Sequence, residues 1–124
     1  MRHTVANEVR MTQIGQEDSL NRISISDGKD YLDWREGSGG TVEIFDVVVN
    51  SDRRKGRGRV LVSILLAQLP AETKVWAITR SDNDIGILWY EAMRFRVCGV
   101  LREFYRTERG VDAIMFIREA GGPV

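Results

Sequence analysis

A chain of 124 residues is long enough for one domain that buries roughly two thirds of the surface its unfolded form exposes. Eighteen basic residues balance eighteen acidic ones, so no whole-protein field favours nucleic acid or anionic lipid. The single cysteine, Cys98, and the single histidine, His3, exclude an internal disulfide, a multi-cysteine zinc site and an imidazole-dependent triad.

Residues 1–20 carry charges without an apolar block, so neither a signal peptide nor a spanning helix is expected, and a reducing cytoplasm is the expected compartment. Val5 to Ile14 reads as a strand. Arg22 to Ser26 alternates polar and apolar before the turn pair Asp27-Gly28, and Tyr31 to Arg35 returns as its hairpin partner. Trp34 would pack or border a cleft. Glu43 to Val49 is nearly unbroken in apolar character, as expected for a central strand covered on both faces.

A cation-rich glycine turn follows that strand, with Arg53, Arg54, Lys55, Arg57 and Arg59 interleaved with Gly56 and Gly58. Glycines let backbone N–H groups converge on phosphate oxygens, and a helix start adds unpaired donors and positive dipole. The placement points to a bound pyrophosphate. The bland alternatives are a solvated turn or a nucleic-acid patch across residues 53–59.

Apolar residues then recur at helical spacing from Gly58 to Leu69, and Pro70 ends the run. Lys74 to Thr79 reads as a buried strand. Ser81 and Asp84 have capping-box spacing for a helix through Met93, although Asn83 is itself a good cap. Phe95 to Phe104 and Val111 to Ile117 are strands joined by a hairpin at 107–110, and Cys98 should be a buried thiol within the first of them. The predicted order is ββ(β)βαβαββ, a single α/β domain over 1–124 with a mixed central sheet flanked by helices.

Glu43 to Arg118, about three fifths of the chain, resembles the acetyl-CoA-binding half of the GNAT N-acetyltransferase superfamily. The resemblance lies in Val47-Val48-Val49 followed by Arg53, Gly56 and Gly58, and in Asn83 preceding Trp89-Tyr90-Glu91. It implies that backbone groups of Asp46, Val47 and Val48 pair with the pantetheine amides of acetyl-CoA. Amides of Arg54 through Arg59 would hold the pyrophosphate, with Arg53, Arg54, Lys55, Arg57 or Arg59 adding charge. Asn83 would hydrogen-bond the cofactor, and Tyr90 would protonate the departing CoA thiolate.

A phenol with a pKa near ~10 suits that role, because it stays protonated at neutral pH. The attacking amine must be neutral: a lysine amine costs roughly 4–5 kcal/mol to deprotonate at pH 7, an α-amine only about 1. Glu43 is the candidate general base, with alternation expected to put it on the face of Phe45 and Val47; relayed water is the alternative.

Two departures stand out against the family pattern. There is no room between Ile14 and Arg22 for its usual N-terminal helix pair, which leaves an open acceptor side or a wall supplied by a homodimer partner. The customary Gly-Phe after the second helix is Arg94-Phe95, so that turn should be built differently. The expected function is acetyl transfer to a primary amine, either a peptide or protein N-terminus or a small amine. The rivals are a CoA-binding module without turnover and a nucleic-acid-binding domain.

Overall fold

The computed structural model describes residues 8–14, 20–51, 56–105 and 111–124. Residues 5–7 of the first expected strand, the cations Arg53, Arg54 and Lys55, and the 107–110 hairpin lie outside them. The chain runs β1 (Arg10–Ile14), β2 (Leu20–Ile25), β3 (Asp30–Glu36), β4 (Val42–Val49), α1 (Arg57–Ala67), β5 (Lys74–Arg80), α2 (Asp84–Ala92), β6 (Arg96–Tyr105) and β7 (Val111–Glu119). The strands form one sheet in the order β1-β2-β3-β4-β5-β7-β6. Only β4 and β5 run parallel, as expected where α1 supplies the crossover; every other pairing is antiparallel.

The apolar stripe of α1 builds the core. Leu61, Val62, Leu65 and Leu66 are buried against Ile23, Leu32, Ile44, Val75 and Ala77. Burying each of these larger side chains is worth roughly 1.5–3 kcal/mol. Tyr90, Met93, Phe95 and Phe116 extend the same cluster under α2. Side chains alternate across a strand, so the residues between the core positions lie on the opposite face. There Arg22 pairs with Asp33, and Arg35 with Glu43, across neighbouring strands.

Several sequence expectations change in detail. Ser81 does not cap α2; Asn83 does, accepting a hydrogen bond from the Gly86 N–H at 3.0 Å. Cys98 is exposed, as are Val97 and Val100 on the same strand, because β6 is the last strand of the sheet and pairs with β7 alone; a bulge between Val97 and Gly99 also leaves Cys98 without a register partner. Trp34 packs at the edge of the core and lines a small hollow beside Met11 and Gln68, away from the main cleft. No helix among the described residues is long and apolar enough to cross a membrane.

Candidate active site

The site begins where the sheet comes apart. β4 and β5 are paired only at Val42–Val75, Glu43–Trp76 and Ile44–Ala77. Beyond this point β4 continues to Val49 against β3, and β5 continues to Arg80 against β7. The strands part at a β-bulge, since Trp34 pairs with Ile44 and Asp33 with Asp46, leaving Phe45 as the extra residue. The gap is a cleft of about 470 Å³ with Asp46 and Val47 on one wall, Ile78 and Thr79 on the other, and Asn83, Trp89 and Tyr90 of α2 across it. Backbone groups of β4 that point toward β5 past Ile44 have no strand partner.

The turn before α1 is anchored from below. Asp30 is fully buried at the start of β3 and accepts from the N–H groups of Asn50 and Ser51 at 2.8 and 2.9 Å, and from the Ser51 hydroxyl. Burial alone would raise its pKa, but these hydrogen bonds outweigh it and hold the carboxyl at about 2. The chain is thereby fixed immediately before the glycine turn. Gly56 caps α1 with φ +65°, a left-handed conformation that favours glycine.

Gly58 also meets a packing need. A Cβ there would lie 2.7 Å from Cζ2 of Trp89, so the residue lets α1 pack directly on α2. Arg57, at the first position of α1, has a buried Nε without a hydrogen-bond partner among the described residues. The Arg59 guanidinium turns to the other end of the chain, where it donates to the Val124 carbonyl at 2.9 Å.

α2 presents Tyr90 to the cleft, and its end is built to hold that ring. The Phe95 N–H donates to the Tyr90 carbonyl and the Arg94 N–H to that of Glu91, the hydrogen-bond pattern of a Schellman motif. Its accompanying apolar contact is the Tyr90–Phe95 ring pair, with centroids 5.3 Å apart. Arg94 sits at φ +70°, the conformation a glycine would take, so the turn is conventional in shape and strained in residue type. Arg118, buried below, donates to the carbonyls of Met93, Glu119, Gly121, Gly122 and Pro123 and so fastens this turn to the last strand.

Tyr90 also stacks on Phe116 at 5.3 Å and is 8% exposed. Its hydroxyl has no hydrogen-bond partner among the described residues. Burial, and then the charge of Asp46, push the phenol well above its ordinary range, so it remains protonated at any physiological pH. Asn83 lines the same cleft, with Oδ1 capping α2 and Nδ2 donating to the Thr79 hydroxyl at 3.2 Å.

Glu43 does not join them. It sits at the closed end, where Arg35 Nε donates to its Oε1 at 3.0 Å, outside the residues that line the cleft. The Phe45 bulge also breaks the alternation, so that Val47 faces the core and Asp46 the opposite side. Val48, registered with Tyr31, does not line the cleft either. Asp30 and Arg118 were invisible as site-forming residues, because no local pattern marks a carboxylate or guanidinium whose partners are backbone groups elsewhere.

No protein-family model matches the sequence, and no curated protein matches it. Solved structures do. The ribosomal-protein-S18-alanine N-acetyltransferase of Escherichia coli superposes with a TM-score of 0.69 at 21% identity, covering 90% of this chain and 75% of that one. A GNAT-family acetyltransferase from Bacillus cereus gives 0.65 at 18%, covering 81% and 69%. Arabidopsis thaliana NAA60 in complex with acetyl-CoA gives 0.60 at 18%, covering 76% and 66%. On these likenesses, this chain has the GNAT acetyltransferase fold.

Proposed function

We propose that this protein is an acetyl-CoA-dependent N-acetyltransferase acting on a primary amine, with a peptide or protein N-terminus as the first candidate acceptor. The observation that carries the reading is Tyr90: a buried phenol, without a hydrogen-bond partner among the described residues, at the cleft where β4 and β5 separate. The residues fit the donor. Unpaired β4 backbone from Asp46 through Val48 suits the pantetheine amides, the Gly56–Arg59 helix start suits the pyrophosphate, and the orphaned Arg57 Nε has a donor to spare. Arg53, Arg54 and Lys55 complete the proposed phosphate turn, and Asn83 adds a polar group at the cleft wall.

When bound, acetyl-CoA supplies an activated thioester. Tyr90 would deliver its phenolic proton to the departing sulfur and regain one through water from the nitrogen that becomes the amide. The amine must arrive neutral. For an α-amine that costs only about 1 kcal/mol at pH 7, which water can meet without a dedicated base. Glu43 remains the proposed base if one is used, acting through water because its carboxylate is held by Arg35. A protein acceptor also agrees with the name of one structural neighbour, the ribosomal-protein-S18-alanine N-acetyltransferase.

The second reading, a CoA-binding module without turnover, is favoured by one observation, the commitment of Glu43 to Arg35. A homodimer in which a partner walls the acceptor side belongs to the proposal and is read by sedimentation equilibrium. A thiol-release assay over a panel of peptide amines tests the main reading. Turnover in the parent and its loss in Tyr90→Phe support it; CoA binding without turnover on any amine favours the module.

A further inference from the structure

We propose that the Asp46 side chain binds the ammonium group of the acceptor, which makes the preferred substrate a cationic amine with an apolar substituent next to it. The inference rests on the acetyltransferase reading above and adds a specificity site to it. The backbone of Asp46 and its carboxylate would then serve different ligands.

The geometry follows from the bulge. With Phe45 looped out of register, Asp46 pairs with Asp33 and its side chain leaves the core face for the cleft. Two carboxylates therefore stand side by side on β3 and β4, and one guanidinium serves them. Arg22 Nε and Nη2 donate to Asp33 at 2.7 and 3.0 Å, and its planar group lies 3.8 Å from the Tyr31 ring centroid. That two-bonded, stacked arrangement commits Arg22 to Asp33. Asp46 has no ion-pair partner among the described residues and is the one charged side chain among those lining the cleft.

A second observation points to a ligand at the same place. Tyr90, nine-tenths buried, lines this cleft with a hydroxyl that no described residue engages. Asp46 is near enough for its charge to act on both the Tyr90 phenol and the Arg22 guanidinium. These are the titratable groups that face it from α2 and β2, with Asp33 beside it on β3; Ile78 and Thr79 of β5 do not ionise.

The flanks supply the apolar requirement. Phe45 is 58% exposed and Ile85 83% exposed, both lining the cleft. Asp46 would collect and orient the protonated amine, whose proton passes to water before its nitrogen attacks. The carbon–nitrogen bond would then form as the carbon–sulfur bond breaks, Tyr90 would protonate the sulfur, and the proton shed by the new amide nitrogen would return through water to the Tyr90 phenolate.

The test is a nuclear magnetic resonance titration of the full chain saturated with CoA, using leucinamide and the uncharged N-acetyl-leucinamide as probes. At pH 7 the parent should bind leucinamide more tightly than its acetylated analogue. Asp46→Asn should weaken leucinamide by about tenfold and remove that preference, while Asp46→Glu should keep it. Equal leucinamide affinity in the parent and Asp46→Asn, including no binding to either, overturns the assignment, as does an equal loss for both probes. Failure of the parent to bind CoA in the preceding calorimetric check overturns the acetyltransferase reading, and this proposal with it.

Discussion

The two halves of β4 make the most instructive comparison in the molecule. From Val42 to Ile44 the strand is sewn to β5, its apolar side chains are buried, and its one carboxylate, Glu43, is tied to Arg35. From Asp46 to Val49 the same strand has lost β5, its carboxylate has no described ion partner, and a cleft has taken the neighbour's place. The composition hardly changes between the halves. What changes is one inserted residue, Phe45, which shifts the alternation and lets the strands diverge. Chemistry is available where the ladder is interrupted, because there backbone and side-chain groups are left for a ligand.

The largest expected effect comes from closing the open half. Gly58→Glu would force a side chain into Trp89 and put negative charge beside the phosphate turn, so acetyl-CoA affinity should fall by at least about a hundredfold in calorimetry. Unchanged affinity would detach the turn from the cofactor. Next is Tyr90→Phe, expected to lower kcat by about a hundredfold with little effect on acetyl-CoA binding. Because burial and Asp46 raise its pKa, the parent rate should not fall as pH passes through the ordinary phenol range. A parent-like rate in the variant would remove Tyr90 from the mechanism.

Asp30 holds the chain at the end of the open half, at Asn50 and Ser51. Its folded pKa, about 2, lies below the ordinary value, so its stabilisation is fully present above about pH 4 and disappears as pH falls toward 2. Asp30→Ala should cost about 2 kcal/mol at pH 7, leave Asn50 and Ser51 donors unpaired, and flatten that acid limb in urea melts. An unaltered acid limb would assign the acid sensitivity to another group. The smallest effect belongs to Arg94→Gly, which relieves left-handed strain after α2 and should stabilise the fold by about 1 kcal/mol in thermal melts. Destabilisation instead would mean that the arginine side chain contributes more than its backbone costs.

Elements with a strong period were legible in the sequence. Gly58 to Leu69 announced α1 within two residues of its observed ends, and the apolar run at Glu43 to Val49 announced the central strand. The family resemblance named Asn83 and Tyr90 together, and both line the cleft. The bulge at Phe45 was not legible: Val-Glu-Ile-Phe-Asp-Val-Val-Val reads equally well as a regular strand, and the irregularity appears only against β3. Asp30 and Arg118 were hidden for a related reason, since their partners are backbone groups distant in sequence. Cys98 looked buried because the apolar character of its strand says nothing about β6 lying last in the sheet.

The central claim is that the open half of β4 holds an acyl donor, and calorimetric titration with acetyl-CoA, with nonspecific RNA as a parallel ligand, tests it most directly. The account predicts one acetyl-CoA bound per chain and no RNA binding. Binding of RNA alone, or of neither ligand, would contradict it.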